Sequence, residues 1–495
     1  MVRCLTLADA LAAKGAQVSF VCRGDLATGI AMVAASGFDV HRISPGTADT
    51  HDDAWRMDAE HTLQALRAAT VPVDWLIVDR YTLGRDWETA VGSAVGRMLV
   101  IDDLGNREHT CDLLLDQNLV ADMLHRYDRK LQRGHALLGP RFALLQKPYR
   151  EWREQVSVRS GAVRRIIVFF GGGDVERLTA ATLAELGTLR MDDVHFDVVL
   201  GRGKFADTRL RRAALPPQVA FHSDLPSLAP LMASADLAIG AGGATSWERL
   251  CLGLPSIVVT LASNQVPIAE ELARRGLVRW VGDREHIDPG RVAAEVASVV
   301  REGLDPAWSE SCLAAVDGRG VERVCRAMQL ADKLPLSARR AGASDEALIL
   351  AWANDELVRQ NALNPAPISA DTHRSWFRQR ISGNSAGALY VIESCDGLPL
   401  GQVRIEPDAG AWEIHYSVAK AFRGHGLGVQ LLDAAIAQHQ REFGDVVLFG
   451  RVRAENAASR RIFHKLGFKE EPGRSGTVVF RREPGQTGHA RAGGV

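Results

Sequence analysis

One stretch organises most of this chain: Gly240-Ala241-Gly242-Gly243-Ala244-Thr245-Ser246-Trp247-Glu248-Arg249-Leu250. It follows an apolar run, residues 235–239, that predicts a buried parallel strand, and residues 247–252 have helical patterning. Glycines at a strand-to-helix turn let the backbone approach a ligand closely, and free amides at a helix N-terminus attract anions. We therefore expect a phosphate or diphosphate here, with Glu248 placed to accept hydrogen bonds from a ribose. The alternative is a glycine-rich turn that only lets helix and sheet pack together.

Apolar runs that predict strands recur on both sides of this turn. They lie at residues 17–22, 75–79, 98–102 and 113–115, and again at 165–170, 196–200, 219–221, 237–239 and 256–259. Strands alternating with helical segments at this spacing indicate parallel sheets covered on both faces. We therefore expect two Rossmann-like α/β halves, residues 1–145 and 146–332, with a ligand in the crevice at the carboxyl ends of their strands.

The first half begins in an unusual way. A doubly wound domain normally starts with a strand near the middle of its sheet, whereas residues 1–14 have helical periodicity that ends at Gly15. A sheet that lacks an interior strand would leave backbone groups unpaired. Either the natural chain starts upstream, so that Met1 is an internal residue of a longer protein, or this half is damaged.

Composition limits the kinds of partner. The 495 residues predict several domains, and 59 Lys+Arg against 60 Asp+Glu give a net charge of -1, so nucleic acid and membrane are not expected as partners. The 7 cysteines form no Cys-x-x-Cys pair, which favours reduced thiols in a cytoplasmic protein and no metal site. No apolar run approaches the roughly 18 residues of a membrane span, and no signal peptide is expected.

A different pattern follows the two halves. Residues 333–344 are expected to form a linker, and residues 345–482 an α+β domain. In that domain helical segments at 348–360 and 369–381 precede strands at 388–393 and 401–405, and the Asp396-Gly397 turn between the strands is typical of a hairpin. Residues 483–495, rich in Gly and Arg, are expected to be a disordered tail.

The most specific motif lies in this last domain. A predicted strand, residues 412–418, leads into Arg423-Gly424-His425-Gly426-Leu427-Gly428 and an apolar helix. The arginine and glycines arch the backbone so that successive amides can cradle a pyrophosphate. Further on, residues 452–459 precede Phe463-His464-Lys465-Leu466-Gly467-Phe468. The two motifs at this separation resemble the GCN5-related N-acetyltransferases (GNAT), over about residues 337–482.

The resemblance implies that acetyl-CoA is the cosubstrate. The positions that match cofactor-binding residues of the family are Val418, Arg423, Gly424, Gly426, Gly428, Asn456 and Ser459. Among them, the glycine amides would bind the pyrophosphate, and the region of Val418 on a splayed strand would hold the pantetheine arm.

The catalytic groups of this domain are less well marked. Phe463 stands where many family members have a tyrosine that acts as general acid, so that role is in doubt here. The base that takes the amine proton should lie on or beside the predicted strand, where Glu413 and His415 are the candidates. The alternative is that both are ordinary strand side chains.

The first two-thirds of the chain carry a second resemblance. The matching strings, in order, are Arg3-Cys4-Leu5-Thr6-Leu7-Ala8, Val78-Asp79-Arg80-Tyr81, Ile101-Asp102-Asp103-Leu104, Cys111-Asp112-Leu113-Leu114-Leu115-Asp116-Gln117-Asn118, Leu138-Gly139-Pro140, Ala143-Leu144-Leu145, Phe170-Gly171-Gly172-Gly173-Asp174, the glycine turn and Asn264-Gln265. They resemble the GT-B-like hydrolases of the pseudaminic acid pathway, which release UDP from UDP-2,4-diacetamido-2,4,6-trideoxy-β-L-altropyranose.

That resemblance implies that UDP binds the second half. Glu248 would face the ribose, Gln265 would also contact the substrate, and the residues that would face the diphosphate are Gly242, Gly243, Thr245 and Ser246. Tyr81 and Asn264 match polar, catalytic positions near the sugar.

These polar positions also have structural alternatives. Tyr81 could instead cap a strand end, and Asn264 could order the loop before Pro267. Asp102 and Asp103 could be acid/base groups or could cap the next loop.

The implied reaction is attack of water on the anomeric carbon, with UDP as leaving group and without a metal. In this family the base is a histidine in a Gly-x-Gly-His turn after the first strand. By alignment on Arg3, that histidine would fall immediately before Met1. Motif alignment and sheet order thus give the same expectation of a longer natural chain.

Together the two resemblances predict a bifunctional enzyme of pseudaminic acid biosynthesis. The GNAT domain would acetylate the 4-amino group of a UDP-linked amino-dideoxy sugar, and the GT-B-like halves would release UDP from the diacetylated product. One alternative is an active acetyltransferase whose GT-B-like part only binds a UDP-sugar. Another is a UDP-dependent glycosyltransferase. The oligomeric state does not follow from the sequence.

Overall fold

The structure of the protein is a computed structural model that divides into two compact units, Met1–Cys325 and Arg326–Val495. It describes residues 1–43, 51–171, 175–189, 191–201, 215–216, 218–328, 336–362, 364–382, 386–394, 397–423, 427–474 and 476–485. The side chains of residues 51–53 and 421 also lie outside the description.

The first unit alternates helices and strands. Its helices are α1 (Val2–Ala12), α2 (Ala27–Ala35), α3 (His51–Arg67), α4 (Arg85–Gly92), α5 (Lys147–Arg153), α6 (Glu176–Gly187), α7 (Ala229–Ser234), α8 (Thr245–Cys251), α9 (Val266–Arg274), α10 (Pro289–Glu302), α11 (Pro306–Ala315) and α12 (Gly320–Met328). Its strands are β1 (Ser19–Arg23), β2 (Asp39–Ile43), β3 (Trp75–Val78), β4 (Arg97–Ile101), β5 (Leu113–Asp116), β6 (His135–Leu138), β7 (Arg165–Phe169), β8 (His195–Val199), β9 (Val219–His222), β10 (Leu237–Ala241), β11 (Ser256–Thr260) and β12 (Arg279–Asp283). Short 3₁₀ helices lie at Met123–His125, Pro140–Phe142 and Ser263–Gln265.

The second α/β half is a parallel sheet in the order β12-β11-β10-β7-β8-β9, counted over the described strands. Every residue of β10 is buried. Its alternate residues enter different cores: Ala238 packs in one cluster with Trp247, whereas Leu237 and Ile239 pack in the other. Successive strand residues point to opposite faces, so a strand covered on both faces reads as a continuous apolar run. The Rossmann-like prediction for this half is confirmed.

The first half contains two separate parallel sheets among the described residues, β1-β2 and β3-β4-β5-β6. The predicted opening helix is α1, which buries Leu5, Leu7 and Leu11. In the described ladders β1 pairs with β2 and β3 pairs with β4, and none of these ladders joins β1 or β2 to β3.

Three strands of the first unit were not predicted. β2 and β12 are edge strands whose residues are mostly not buried, so they lack a strong apolar signal. β6 is also an edge strand, paired in parallel with β5, and Leu137 is its one fully buried residue.

The second unit has a mixed sheet flanked by helices. Its helices are α13 (Glu346–Ala353), α14 (Glu356–Asn361), α15 (Ala370–Ile381), α16 (Leu427–Phe443) and α17 (Ala457–Lys465), with 3₁₀ helices at Ala343–Asp345 and Lys420–Phe422. Its strands are β13 (Leu336–Arg340), β14 (Ala388–Ser394), β15 (Pro399–Asp408), β16 (Ala411–Val418), β17 (Leu448–Arg453), β18 (Lys469–Pro472) and β19 (Thr477–Arg482). Among the described strands the order is β13-β14-β15-β16-β17-β19-β18, and the β16–β17 pair is parallel. The predicted α+β architecture is confirmed.

Two expectations for the second unit need correction or lie outside the description. Residues 333–344 were expected to be a linker, but β13 lies within them and pairs antiparallel with β14. This strand was not predicted from the sequence because it is short and polar. Arg339 pairs with Asp345 and Glu393, and Arg340 pairs with Glu442. The antiparallel pairing of β14 with β15 is confirmed, whereas Asp396 of the turn and most of the tail lie outside the described residues.

None of the helices in the described ranges combines the length and the apolar character that crossing a bilayer requires.

The close approach of β10 to β7 makes a stability prediction. A Cβ on Gly240 would lie 2.6 Å from the carbonyl oxygen of Phe169, whereas a Cβ on Gly243 would lie 3.4 Å from the flexible end of Gln265. We expect Gly240→Ala to lower the free energy of unfolding by about 1–3 kcal/mol because the backbone must shift. Gly243→Ala, the matched control, should change it by less than about 0.5 kcal/mol. Chemical denaturation of the full chain measures both, and equal losses would contradict this explanation.

Candidate functional site

The glycine turn joins β10 to α8 and is closed by two neighbouring segments. The Gly242 amide donates to the carbonyl of Val259 at 3.0 Å, and a Cβ on Gly242 would lie 3.2 Å from the Thr260 methyl. Gln265 lies over Gly243, and its side-chain oxygen accepts from the Leu261 amide at 2.8 Å. Neither Gly242 nor Gly243 has a positive φ, so space rather than backbone conformation explains these glycines. The structure therefore brings the predicted residues Gly242, Gly243 and Gln265 together.

Two hydroxyl groups begin α8 directly after the turn. The Ser246 side chain is buried, and its hydroxyl oxygen accepts from Arg249 at 3.1 Å. The hydroxyl oxygen of Thr245 also accepts from Arg249 at 3.1 Å. An arginine can only donate, so the hydroxyl hydrogen of the partly exposed Thr245 remains free to donate to a ligand, whereas Ser246 is fully buried. Sequence reasoning did not single out Arg249, because an arginine within a helix usually lies on a solvated face.

Glu248 lies in the first turn of α8 and is partly buried. Burial raises its pKa to about 7, although the Tyr149 phenol and the charge of Arg249 act in the opposite direction. The Tyr149 hydroxyl donates to Glu248 and accepts from Ser227 and from the Leu228 amide. Near neutral pH this carboxyl group therefore changes easily between a charged and a neutral form.

The predicted residue Tyr81 belongs to a polar cluster at the carboxyl ends of β3, β4 and β5. Its hydroxyl donates to Asp103 at 2.6 Å, and the Asn118 amide donates to the same carboxylate at 2.9 Å. Arg3 donates to Asp103 at 2.9 Å and to both oxygens of Asp79. Tyr81 is 45% exposed as a whole residue, so it lies at the surface of the first half rather than inside a strand cap.

Asp102 is fully buried and caps the loop that follows β4. Its oxygens accept from the amides of Leu104 at 3.2 Å and Gly105 at 2.9 Å. Burial opposes ionisation, but His109 and Arg107 hold the pKa of Asp102 below its usual range. Of the two alternatives from the sequence, the capping role fits Asp102 better, and Asp103 is the carboxylate that contacts Tyr81.

Asn264 is exposed in the 3₁₀ turn before α9. Pro267, three residues further on, lines a cleft of about 510 Å³ within the first unit. The rest of its lining comes from the first half: Val120, Asp122, His125, Arg126, Asp128, Arg129 and Lys130. The cleft therefore lies between the two α/β halves, as expected from the sequence. Tyr81 and Asn264 lie on different halves, and no described hydrogen bond joins them.

In the second unit β16 and β17 separate soon after they pair. Their parallel register covers only Trp412 with Leu448 and Glu413 with Phe449, although β16 continues to Val418 and β17 to Arg453. The expected splayed strand is thus present, with Val418 at its end. The Arg423 side chain donates to the Val418 carbonyl at 2.9 Å and pairs with Asp355 at 2.8 Å.

Gly424 and Gly426 lie outside the described residues. Gly428 is buried in the first turn of α16, and a Cβ there would lie 2.4 Å from the Ile462 side chain of α17. The absence of a side chain at Gly428 therefore lets α16 and α17 approach each other closely.

Four residues lie where the splayed strand meets α17. The Tyr416 hydroxyl donates to the Ser459 hydroxyl at 2.8 Å, and the ring of Tyr416 lies 6.1 Å from that of Phe463. Asn456 caps α17 by accepting from the Ser459 amide at 3.1 Å. Burial raises the pKa of Tyr416 to about 12, so its phenol stays protonated. Sequence reasoning missed Tyr416 because it considered only the Phe463 position for a proton donor.

Glu413 and His415 lie on the other face of β16. Their side chains approach to 3.4 Å, and Arg451 lies 3.5 Å from Glu413. Burial raises the pKa of Glu413, but His415 and Arg451 outweigh it and hold the pKa below its usual value. Glu413 is therefore a carboxylate beside the half-exposed imidazole of His415. Such a carboxylate can orient the imidazole.

The polar face around this pair is lined by charged groups of β15 and α15. His415 lies opposite Arg404 in the register, and Glu413 lies opposite Glu406. Within the described ranges, no group of three or more His, Cys, Asp and Glu side chains is placed to hold a metal ion.

The raised pKa of Glu248 makes the stability of the protein depend on pH. Its folded-state pKa is raised from 4.5 to about 7, so its contribution to stability is present below pH 4.5 and is lost as pH rises through 7. Glu248→Gln removes the ionisable group and with it this loss of stability at high pH. The side-chain oxygen of the glutamine can still accept the hydrogen bond from Tyr149. We expect the variant to gain up to about 2 kcal/mol in free energy of unfolding over the unaltered chain at high pH, and little at low pH.

Glu271 is the matched control, because hydrogen bonds from Arg274 and Arg275 lower its pKa. Its contribution is present above the unfolded pKa and is lost in acid, so Glu271→Gln should be less stable than the unaltered chain at high pH. Chemical denaturation at about pH 5 and about pH 8 measures both variants. The same pH trend in the two would contradict the assignment for Glu248.

Two family models match the chain. Residues 166–318 match the glycosyltransferase family 28 C-terminal domain, and residues 336–469 match the acetyltransferase (GNAT) domain. The first match contains the glycine turn, and the second contains the splayed strands.

Similar whole proteins include an uncharacterized protein of Methanocaldococcus jannaschii, 20% identical over 421 residues that cover 82% of this chain and 84% of that protein. The spore coat polysaccharide biosynthesis protein SpsG of Bacillus subtilis is 26% identical over 194 residues, 39% of this chain and 57% of that protein. Among solved structures, MurG of Acinetobacter baumannii is 13% identical and covers 66% of this chain and 95% of its own, with a TM-score of 0.48. The chain thus combines a GNAT acetyltransferase domain with a domain similar to the family 28 C-terminal domain.

Proposed function

We propose that the chain is a bifunctional nucleotide-sugar enzyme of pseudaminic acid biosynthesis. The second unit acetylates the 4-amino group of a UDP-linked amino-dideoxy sugar with acetyl-CoA. The first unit then releases UDP from UDP-2,4-diacetamido-2,4,6-trideoxy-β-L-altropyranose. The observation that carries this proposal is that a glycine turn with nearby Glu248, inside a family 28-like domain, shares one chain with a GNAT domain.

The turn has groups that suit a nucleoside diphosphate. Gly243 leaves partly exposed backbone at the end of β10, and the hydroxyl hydrogen of the partly exposed Thr245 is free to donate to a phosphate oxygen. Glu248 accepts from the ribose hydroxyls in its ionised form. Because its pKa is about 7, donation from the ribose shifts it towards the carboxylate. Gln265 lies over Gly243 and bounds the turn there.

In the proposed hydrolysis, the position of the attacking water matters more than an acid that protonates the leaving UDP. Water attacks the anomeric carbon, the bond from that carbon to the β-phosphate oxygen breaks, and UDP leaves with the electron pair. Donors at the turn stabilise its charge. Tyr81 and Asn264, one from each half, hold the sugar and the water. The proton of the water passes through the Tyr81 phenol to Asp103, which is 2.6 Å from that phenol.

Acetyl transfer uses both faces of β16. Acetyl-CoA enters the opening between β16 and β17, with its pantetheine arm along Val418. Its pyrophosphate binds near Arg423 and the glycines Gly424, Gly426 and Gly428, and Asn456 and Ser459 line the entry to α17.

The acceptor amine attacks the thioester carbonyl and the carbon–sulfur bond breaks. His415 accepts the amine proton beside Glu413, and Tyr416 donates a proton to the departing thiolate. The proton returns to Tyr416 from solvent through Ser459, its hydrogen-bond partner.

Two rival functions share the glycine turn and the GNAT domain. In one, the first unit only binds a UDP-sugar for the acetyltransferase. In the other, it transfers the sugar to an acceptor hydroxyl, so that UDP appears only when an acceptor is present. Loss of Glu248 weakens UDP binding under all three functions, so binding alone does not separate them.

The discriminating experiment supplies the diacetamido UDP-sugar to the full chain without any acceptor, in water labelled with heavy oxygen. We expect UDP to be released without the label, because the bond that breaks is on the carbon side of the bridging oxygen. Label in the UDP would indicate attack on phosphorus. Absence of UDP would leave one of the two rival functions, and addition of candidate acceptor sugars then separates them.

His415 should control the rate of acetyl transfer. Removal of a general base typically costs about 100-fold or more in rate, so we expect His415→Ala to lower kcat by about 100-fold with little change in KM for acetyl-CoA. His464→Ala is the matched control, since His464 pairs with Glu470 near the end of α17. Measurements of CoA release that show full activity in His415→Ala would contradict this role.

Tyr416 should have a smaller effect, because CoA thiolate is already a tolerable leaving group. We expect Tyr416→Phe to lower kcat for acetyl transfer by about 10-fold and to steepen the loss with poorer thiol leaving groups. Tyr390→Phe is the control, since the buried Tyr390 hydroxyl donates to Glu442 and not to Ser459. Equal losses in the two variants would indicate a packing effect instead of proton donation.

A further inference from the structure

A buried cation lies directly beneath the glycine turn. Arg249 is 2% exposed, and its guanidinium donates to the Ala241 carbonyl at 2.8 Å. The same group donates to the hydroxyl oxygens of Thr245 and Ser246. A Cβ on Gly240 would lie 2.8 Å from a guanidinium nitrogen, so the cation fills the space under the last turn of β10.

This charge has an anionic neighbour but no ion pair among the described residues: Glu248 acts on it electrostatically, although burial raises the pKa of that carboxyl group to about 7. Among the described residues, no carboxylate lies within ion-pair distance of Arg249, and its Nε has no hydrogen-bond partner. Burial lowers its pKa to about 10, so the side chain is still a cation near neutral pH. Leaving a buried charge unpaired is strongly unfavourable, so such charges are normally paired or bind an ion of opposite sign.

A second buried arginine, Arg159, has its positive charge offset by carbonyl groups at helix ends. Arg159 is 8% exposed and donates to the carbonyls of Met232 at 2.9 Å and Ala235 at 2.6 Å. It also donates to the Leu252 carbonyl. These carbonyls lie at the C-terminal ends of α7 and α8, where partial negative charge is concentrated, so the helix ends offset the cation.

Arg249 belongs to the last turn of α8, but its side chain reaches back to the opposite, N-terminal end of the helix. Its guanidinium lies beside Thr245 and Ser246, the first two residues of the helix, where the helix field is positive and disfavours a cation. The field at the N-terminal end of α8 therefore favours an anion at the turn. At its C-terminal end the same helix offsets the charge of Arg159.

We propose that Arg249 is a positioning residue of the nucleotide site, acting as the buried counter-charge of a diphosphate bound at Gly242 and Gly243. It also fixes the two hydroxyl groups: because Arg249 donates to both oxygens, the partly exposed Thr245 can direct its hydrogen to a phosphate oxygen, and the buried Ser246 holds the guanidinium in place. This inference rests on the proposed function, since it requires a nucleoside diphosphate at the turn.

The test compares UDP with uridine, which lacks the anion. Calorimetric titration of the full chain gives both affinities for the unaltered protein, for Arg249→Met and for the matched control Arg159→Met. We expect Arg249→Met to weaken UDP binding by about 10- to 100-fold, the usual loss for charge-assisted hydrogen bonds, and uridine binding by less than about twofold. Arg159→Met should leave the ratio of the two affinities unchanged. Loss of UDP and uridine binding by the same factor in Arg249→Met would overturn the proposal.

Arg249→Lys covers the case in which the methionine variant does not fold. A lysine keeps a charge but cannot donate to the Ala241 carbonyl and to both hydroxyls with a planar fork. We expect its UDP affinity to fall by about 5- to 10-fold with uridine unaffected, and an unchanged ratio would overturn the proposal.

The outcomes also separate this inference from the proposed function. If the unaltered chain binds no UDP, the proposed function fails. If it binds UDP and the ratio is unchanged in the Arg249 variants, only the role of Arg249 fails.

Discussion

The burial of β10 on both faces is the constraint on which the first unit depends. Its alternate side chains enter two different cores, and Gly240 allows the backbone of β7 to lie against it. The strand is therefore fixed in position up to its last residue, Ala241. The anchored strand holds the turn that follows it in place. A short glycine sequence can therefore present backbone and hydroxyl donors in a defined position.

The same constraint explains why the charged groups near the turn have unusual surroundings. The buried side chain of Trp247 anchors α8. The same burial removes Glu248 partly, and Arg249 almost completely, from contact with water. Burial shifts both groups towards their neutral forms. In the proposed function a bound nucleoside diphosphate reverses both effects, because the ribose donates to the carboxylate and the diphosphate balances the guanidinium.

Much of the architecture followed from sequence patterns with a clear physical origin. Fully buried strands such as β10 and β11 read as continuous apolar runs, so their place in a parallel sheet was predictable. β13 was not predictable, because its arginines owe their place in the sheet to Asp345, Glu393 and Glu442, which local patterning does not reveal. The residues of the glycine turn were identified from one stretch of chain. The contacts of these residues with Arg249 were not predicted from the sequence, because the burial of a side chain depends on the whole fold.

The second unit shows the same limit. The splay of β16 from β17 was expected from the motif, but the hydroxyl pair of Tyr416 and Ser459 joins two elements that are distant in sequence. The Glu413–His415 pair was within reach of sequence reasoning because side chains two residues apart on a strand share a face. Whether such a pair meets solvent or core depends on the helices that cover the sheet.

The central claim is that two consecutive steps on a UDP-sugar take place on one chain. The most direct measurement follows CoA and UDP together after the monoacetylated UDP-amino sugar is mixed with the full chain, with and without acetyl-CoA, and without any sugar acceptor. The account expects UDP to appear after CoA, to reach equal amounts, and to depend on acetyl-CoA. Release of CoA with no UDP would contradict it.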